Sequence, residues 1–362
     1  MHLPFCLAKC AYCDFVSFSD CYARQEEYRA ALKREFSLYR GEKIDTVYLG
    51  GGTPTSLETQ TLTGILDDIF ESFKISPDAE ITIECNPKTA DYEKFCSLKK
   101  AGVNRLSIGI QSLNEDELKK IGRLHSAEDA RACVREAEKA GFLNISADLM
   151  FALPGQTVES LKKSIEGLIS LPISHISCYG LILEEGTRIT EAAKSGKIIL
   201  PDEDTEFKMY QTIVEELKRA GFYQYEISNF AKVGRESKHN TRYWKCDEYI
   251  GCGVAAHSYF EGARYKNTED FSDYVNAPGK REDITRLTKE DEMSEFLILG
   301  LRMLSGVSQK EFSQKFRISL EERFGDVIEK YEKNGLLEYK DGNLRFTEQG
   351  IYVSNTVLCE FV

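Results

Sequence analysis

The stretch IDTVYLGGGTPTSLETQTLTGILDDIFESF, residues 44–73, shows the pattern that decides the fold. Residues 44–50 predict a β-strand, a glycine-rich loop follows at 50–55, and residues 57–73 carry apolar side chains at helical spacing. Similar units recur along the chain, with further predicted strands at 80–85, 105–110, 145–150 and 176–182 and further helices at 91–102 and 127–141. Strands that alternate with helices indicate βαβ units and a parallel sheet.

The spacing of these units favours a particular α/β fold. Units of roughly 25–40 residues without a glycine-rich dinucleotide fingerprint favour a barrel, or part of one, over a Rossmann sheet. In barrels, chemistry lies at the carboxyl ends of the strands. Polar or glycine-rich signals follow four successive predicted strands here, at GGGTPT (50–55), at Glu84 with Asn86, at Gln111 and at Asp148. We therefore expect a partial (β/α)6 barrel with a site at this edge.

Towards the C-terminus the alternation of strands and helices gives way to a different pattern. Three helices are predicted at 291–304, 306–316 and 319–337, and Asp-Gly at 341–342 predicts a hairpin within 337–350. This order resembles a small α+β winged helix. Residues 286–362 hold 14 acidic and 11 basic side chains, so we expect a packing or partner module rather than one that binds DNA. The predicted domains are a barrel (1–225), a connecting segment (226–280) and the C-terminal module (281–362).

Composition narrows the class of protein. The 362 residues carry a net charge of −12, which disfavours binding to nucleic acid, and no run of Lys and Arg supports peripheral membrane contact. No apolar stretch is long enough to span a bilayer, and the first residues do not resemble a signal peptide. We expect a cytoplasmic protein.

Three of the 11 cysteines form a cluster of their own, in HLPFCLAKCAYCDF at 2–15. Cys6, Cys10 and Cys13 could converge on one inorganic centre. Structural zinc would need a fourth ligand, such as Cys21 or a distant His. A [4Fe–4S] cluster held by three thiolates would keep one iron without a protein ligand, which suits a reactive centre. The spacing therefore favours an iron–sulfur cluster and leaves zinc as the alternative.

The C-x3-C-x2-C spacing resembles the signature of the radical S-adenosylmethionine (SAM) superfamily. The surrounding residues resemble, more narrowly, the HemN/HemW group of oxygen-independent coproporphyrinogen III oxidases and HemW-type heme chaperones. The resemblance extends from residue 2 into the C-terminal module. It implies that Cys6, Cys10 and Cys13 hold a [4Fe–4S] cluster whose open iron binds SAM. It also implies a set of SAM-binding residues: Tyr12, Gly51, Gly52, Thr53, Glu84, Gln111, Arg123 and Asp148.

Two features divide the group. Phe15 stands where the oxidases carry a further Cys, and the run HNTRYW (239–244) resembles the HNxxYW motif of HemW proteins. The resemblance implies a heme site that includes His239, Asn240, Tyr243 and Trp244, with His239 as an axial ligand and the two aromatic rings as a wall. A second interpretation is that His239 and Trp244 pack against the open side of the barrel. His257, Cys246 and Cys252 are weaker candidates for heme ligands.

Three functions follow as hypotheses. The favoured one is a heme chaperone that passes heme to an acceptor protein and takes electrons from a low-potential donor such as a flavodoxin or ferredoxin. The second is oxidative decarboxylation of coproporphyrinogen III by a radical mechanism. The third is a non-catalytic protein stabilised by a metal. Slow cleavage of SAM is compatible with the first, but coproporphyrinogen turnover is not expected.

The N-terminus departs from the family pattern. Relatives carry a strand of the type L-Y-I-H-I-P-F-C, whereas Met1 stands close before Pro4 and Cys6 here. We expect a first strand of three or four residues and a weakly retained cluster, with a start site placed too late as the favoured explanation and a naturally short form as the alternative.

Overall fold

A computed structural model describes residues 1–362. Its centre is one eight-stranded sheet in the order β1-β2-β3-β4-β5-β6-β8-β7, in which β1 to β6 are parallel to one another and β8 is antiparallel to both of its neighbours, β6 and β7. The strands are β1 (His2–Leu3), β2 (Lys43–Gly51), β3 (Lys74–Cys85), β4 (Arg105–Gln111), β5 (Ile145–Phe151), β6 (His175–Gly180), β7 (Tyr223–Glu226) and β8 (Asn229–Ala231). Six parallel strands in chain order confirm the predicted α/β partial barrel.

Helices follow the parallel strands as expected for βαβ units. They are α1 (Gln25–Phe36), α2 (Thr59–Ser72), α3 (Tyr92–Lys100), α4 (Glu115–Lys120), α5 (Ala127–Lys139), α6 (Val158–Ile169), α7 (Arg188–Lys194) and α8 (Glu203–Arg219). Ser126 and Thr157 start α5 and α6 with capping boxes, in which each side chain accepts a backbone N–H of the first turn. No helix of the protein combines the length and the apolar character needed to cross a membrane.

Strand β3 begins six residues before its predicted start at 80. Its first residues pair with β2 at Ile44 and Ile75, and pairing resumes at Thr46 and Glu80. The extra residues 76–79 bulge out of the ladder and include Pro77, which has no N–H to donate. Pro77 and the polar residues beside it interrupt the strand pattern, so the sequence did not predict this early part of β3.

The inner face of the sheet is polar, whereas its outer face is apolar. In β4, Leu106, Ile108 and Ile110 are fully buried in a core of 51 residues. Arg105 and Ser107, which alternate with them, line a cavity enclosed by the curved sheet. We call this space the lumen cavity.

Residues 226–280, which we predicted as a connecting segment, pack on the same core as the parallel strands. They form α9 (Lys238–Trp244), β9 (His257–Phe260), β10 (Ala263–Asn267) and α10 (Phe271–Asn276), and β9 and β10 join β11 (Arg281–Arg286) in an antiparallel sheet. Val254, Phe271 and Tyr274 are buried in the main core. The large sheet also continues past residue 225 through β8.

The C-terminal module has its own core of 16 buried residues. It comprises α11 (Lys289–Gly300), β12 (Val307–Ser308), α12 (Gln309–Phe316), α13 (Leu320–Lys333), β13 (Leu337–Lys340), β14 (Asn343–Phe346), α14 (Glu348–Tyr352) and α15 (Ser354–Leu358). Its sheet is antiparallel, in the order β12-β14-β13. Asp341 and Gly342 have φ values of 52° and 80°, as a two-residue hairpin requires, so the predicted hairpin is present.

The C-terminal module is joined to the barrel through main-chain pairing. The N–H of Ile227 donates to Arg302 O at 3.1 Å, and the N–H of Leu304 donates to Tyr225 O at 3.1 Å. The guanidinium of Arg302 lies 4.4 Å from the ring centroid of Trp244, the only tryptophan of the chain. The module therefore covers the free edge of β7 and contacts α9.

A buried carboxylate ties α1 to distant parts of the chain. Glu35 is fully buried and accepts hydrogen bonds from Tyr274 Oη at 2.6 Å, Asn267 Nδ2 at 2.7 Å and the N–H of Gly253 at 2.9 Å. These donors follow Glu35 by more than 200 residues, so the network closes the barrel side that β1 leaves short.

Replacement of Glu35 by Ala tests this network. The substitution leaves three buried donors without an acceptor, so we expect the free energy of unfolding to fall by about 3 kcal/mol. Urea unfolding followed by Trp244 fluorescence measures it. Glu27→Ala, on the exposed side of the same helix, is the matched control and should change stability by no more than about 0.5 kcal/mol. Equal effects of the two substitutions would contradict the assigned role.

Candidate functional site

The residues predicted at the carboxyl ends of the strands share one cavity. The lumen cavity has a volume of about 470 Å³. Every residue predicted for the cluster and SAM lines it, as does Asn240: Cys6, Cys10, Tyr12, Cys13, Gly51, Gly52, Thr53, Glu84, Gln111, Arg123 and Asp148. Parallel strands end at the same edge, which explains why residues so far apart in the chain meet here.

The three cysteines lie on the loop that follows β1. All three are half-buried. Cys6 Sγ lies 3.6 Å from Thr53 Oγ1, and Arg123 Nη1 donates to Cys10 Sγ at 3.5 Å. Burial raises the pKa of the Cys6 and Cys13 thiols, so a positive partner is needed to stabilise their thiolates. A bound metal centre and Arg123 can both supply that charge.

A single metal ion and a cluster place different requirements on the three thiols. No three His, Cys, Asp or Glu side chains surround a point at which one metal ion could be held. Cys21, the fourth ligand considered for zinc, bonds to Asp20 and does not line the lumen cavity. All three thiols line the lumen cavity, and in a [4Fe–4S] cluster each would bind a different iron.

The glycines of the 50–52 run serve packing within the chain. A Cβ on Gly52 would lie 2.7 Å from both the N and the O of Phe5. Gly51 has a φ of 104°, and a Cβ there would collide with the His2 ring. The resemblance implies that Gly51 and Gly52 bind SAM, and this role stays a prediction; in the structure the nearest atoms belong to β1 and the cysteine loop.

Two half-buried carboxylates face the lumen cavity. Glu84 accepts hydrogen bonds from Tyr48 Oη at 2.7 Å and from the N–H of Gly51 at 3.3 Å, and burial raises its pKa to about 7. Asp148 accepts from Ser107 Oγ at 3.2 Å, and burial raises its pKa to about 6. Both groups can therefore gain or lose a proton near neutral pH.

Arg123 and Gln111 are also fixed by neighbours. Arg123 Nη2 donates to Asn86 Oδ1 at 2.6 Å and to the carbonyl of Gly109. Gln111 Oε1 accepts from Tyr179 Oη at 3.1 Å. Asn86 was noted at its strand end but not assigned to the site, and Tyr179 was not assigned at all. The period-two alternation along β6 would have placed Tyr179 on the inner face.

The HNTRYW run forms α9, and its four candidate residues have three different surroundings. His239 and Tyr243 line a second cavity of about 320 Å³, between β2 and residues 247–250. Asn240 faces the lumen cavity, and Trp244 packs under Arg302. The structure therefore does not gather the four residues around one space. Of the weaker heme candidates, Cys252 lines the second cavity, Cys246 is half-buried and His257 is exposed.

Both ring nitrogens of His239 are hydrogen-bonded. Nδ1 lies 2.8 Å from Thr46 Oγ1 and Nε2 lies 2.9 Å from Tyr243 Oη, while the ring stacks on Tyr48 at 5.0 Å between centroids. Burial lowers the pKa of His239 to about 3, so the imidazole is neutral. His239 packs against Thr46 and Tyr48 of β2, Trp244 packs under Arg302, and the heme role stays a prediction.

Comparison with known proteins fits this geometry. Residues 1–168 match the radical SAM superfamily and residues 287–353 match the HemN C-terminal domain. Heme chaperone HemW of Bacillus subtilis is 38% identical, over 100% of this chain and 98% of its own length. The chain belongs to the HemW family of radical SAM proteins. HemW of Lactococcus lactis is also 38% identical, over 100% of this chain and 96% of its own length.

The solved structures support the fold of this HemW-family chain. Coproporphyrinogen III oxidase (HemN) from Escherichia coli superposes with a TM-score of 0.86, over 99% of this chain and 88% of its own. The two sequences are 22% identical, so this likeness concerns the fold. In radical SAM proteins the cluster supplies an electron to SAM; here Cys6, Cys10 and Cys13 would hold the cluster, and Arg123 would keep its charge next to Cys10.

Iron content tests the assignment of the three cysteines. Anaerobic reconstitution should give about four irons per chain, and Ala at Cys6, Cys10 or Cys13 should abolish iron uptake because each thiolate binds one iron. Iron and sulfide analysis with absorption spectra measures this. Cys133→Ala is the control, since Cys133 is buried on α5 away from the loop, and it should keep the full iron content. Stoichiometric zinc without iron would contradict the assignment.

Proposed function

We propose that this HemW-family protein is a heme chaperone, which holds a [4Fe–4S] cluster and SAM in the lumen cavity, binds heme and passes it to an acceptor protein. The observation that carries the proposal is the combination of two features on one scaffold. The cysteine loop ends at Phe15 without a further thiol, and the HNTRYW helix borders the wall of the cofactor cavity. The names of the bacterial relatives support the same function.

Phe15 separates this chain from the oxidases of the group. The side chain is 63% exposed at the rim of the lumen cavity, so the position is open to a large ligand or partner. An apolar ring there can pack against a macrocycle or an acceptor, but it cannot bind iron or transfer a proton. This residue supports the chaperone over the oxidase.

The HNTRYW helix is connected to the cofactor residues through aromatic contacts. Tyr243 bonds to His239, His239 stacks on Tyr48, and Tyr48 donates to Glu84. Iron binds the neutral form of imidazole, which is the form that burial stabilises in His239. Binding of heme iron at Nε2 would replace the hydrogen bond between His239 and Tyr243. It would thereby alter the first of the contacts that connect the helix to Glu84.

The partners of this function are a heme acceptor and a low-potential electron donor of the flavodoxin or ferredoxin type, in the cytoplasm.

The second candidate function is coproporphyrinogen III oxidation. The shared fold with the Escherichia coli oxidase favours it, because the same inner face is available for a radical reaction. Phe15 and the HNTRYW helix weigh against it.

Heme titration tests the proposed function directly. Hemin added to the anaerobically reconstituted protein should produce a Soret band and quench Trp244 at one heme per chain. We expect His239→Ala to weaken binding by at least about tenfold, through loss of an iron ligand. His257→Ala is the matched control, on an exposed histidine. A wild-type protein that binds no heme would exclude the chaperone function, and unchanged binding by His239→Ala would assign the iron to another ligand.

Turnover with coproporphyrinogen III separates the two candidates. Because Phe15 replaces a thiol, the reconstituted protein with SAM and a strong reductant should yield no protoporphyrinogen IX, although 5′-deoxyadenosine can form slowly. Chromatography of porphyrins and nucleosides measures both products, and a genuine oxidase run in parallel validates the assay. Formation of protoporphyrinogen at the rate of that enzyme would favour the oxidase.

A further inference from the structure

Arg105 is a buried cation that the cluster and SAM residues do not explain. It opens β4 on the inner face of the sheet, is 2% exposed and lines the lumen cavity. Its guanidinium makes no hydrogen bond and no ion pair with the protein, and its Nε is buried without a partner. Thr82, its cross-strand neighbour on β3, also has a buried hydroxyl without a partner.

A buried guanidinium N–H without a partner is costly, because the donor loses water and gains no acceptor. The half-buried cations Lys94 and Arg123 have acceptors for most of their donors, although Arg123 Nε also lacks a partner. Lys94 donates to three carbonyls, and Arg123 bonds to Asn86, Gly109 and Cys10. Arg105 is the only Lys or Arg side chain of the chain that is fully buried, and it faces a cavity.

The groups around Arg105 do not supply an acceptor. Tyr48 and His239 are uncharged side chains bonded elsewhere. Glu84 and Asp148 face the same cavity, but neither comes within 4.0 Å of the guanidinium, and each accepts other hydrogen bonds. Donors and acceptors that can complete a small polar site lie along the same wall, at Ser177, Ser228 and Asn229.

We propose that Arg105 anchors a carboxylate-binding subsite at the inner end of the lumen cavity. A planar guanidinium binds a carboxylate through two parallel hydrogen bonds, which would satisfy its free donors. A singly charged carboxylate suits this position better than phosphate, because Glu84 and Asp148 would repel a dianion. A propionate of a tetrapyrrole is the favoured source of the carboxylate, because the amino-acid part of SAM is expected at the open iron of the cysteine loop.

Thermal unfolding with a small probe tests the subsite without cluster or heme. Sodium propionate at roughly 50 mM should raise the Tm of the apoprotein by about 2 °C, whereas propionamide and sodium chloride should not. Arg105→Met should abolish the Tm shift. Arg105→Lys should reduce it, since Lys keeps the positive charge but lacks the two parallel N–H donors of the guanidinium. Lys94→Met, at a half-buried cation whose three donors are already used, should keep the full shift.

Two results would overturn the subsite. One is an equal shift with propionamide, and the other is a propionate shift that survives in Arg105→Met. If Arg105→Met does not fold, as judged by circular dichroism, the comparison of Arg105→Lys with the wild type decides, and an undiminished shift in Arg105→Lys counts against the bidentate site.

Paired ligands then identify the source of the carboxylate. SAM is compared with decarboxylated SAM, and protoporphyrin IX with its dimethyl ester, each on the wild type and on Arg105→Met. For the ligand that binds at Arg105, the Arg105→Met substitution should raise Kd about tenfold. For the counterpart of that ligand without the carboxylate, the Kd should be the same in the wild type and in Arg105→Met. If Arg105→Met binds both SAM and protoporphyrin IX as tightly as the wild type does, the proposal is wrong. Heme binding itself is not assumed, so failure of the chaperone function would leave these results interpretable.

Discussion

The position of the cysteine loop depends on one close contact between main chains. At the end of β2, Gly52 donates to Leu3 O at 2.9 Å and Thr53 donates to Phe5 O at 2.7 Å. The contact leaves no room for a side chain at Gly52. Because β1 pairs with β2 at only two positions, these hydrogen bonds provide much of what holds the loop over the lumen cavity. The glycines are thus needed for the protein's own chain before any cofactor binds.

The interior of the barrel combines groups that soluble proteins normally keep apart. Glu84 and Asp148 have raised pKa values and share the lumen cavity with Arg105, whose Nε has no partner, while the neutral His239 lines the second cavity. Glu80 adds a fixed contact at the base of the barrel, where its carboxylate accepts the first N–H groups of α9. The HNTRYW helix is therefore anchored to β3, and its aromatic residues have a defined position relative to Tyr48.

Much of the fold could be predicted because it follows from local patterns. Alternation of strands and helices, and Asp-Gly between apolar runs, are short-range signals, and parallel strands bring Glu84, Gln111 and Asp148 to one edge by topology alone. Long-range partners left no such signal. The donors to Glu35, the antiparallel strands β7 and β8 and the separation of Asn240 from His239 depend on packing between segments distant in sequence. Arg105 was missed because a charged residue at a strand start is indistinguishable, in one sequence, from a solvated one.

The main-chain pairing between β7 and residues 302–304 bears on how the protein is made. Until the ribosome has produced α11 and the residues after it, the outer edge of β7 has exposed N–H and C=O groups with nothing to pair with. A nascent barrel is thus vulnerable to association with other chains during this interval. Completion of the C-terminal module ends this interval, because residues 302–304 then pair with the edge of β7. The last part of the chain thus protects the first part from association with other chains.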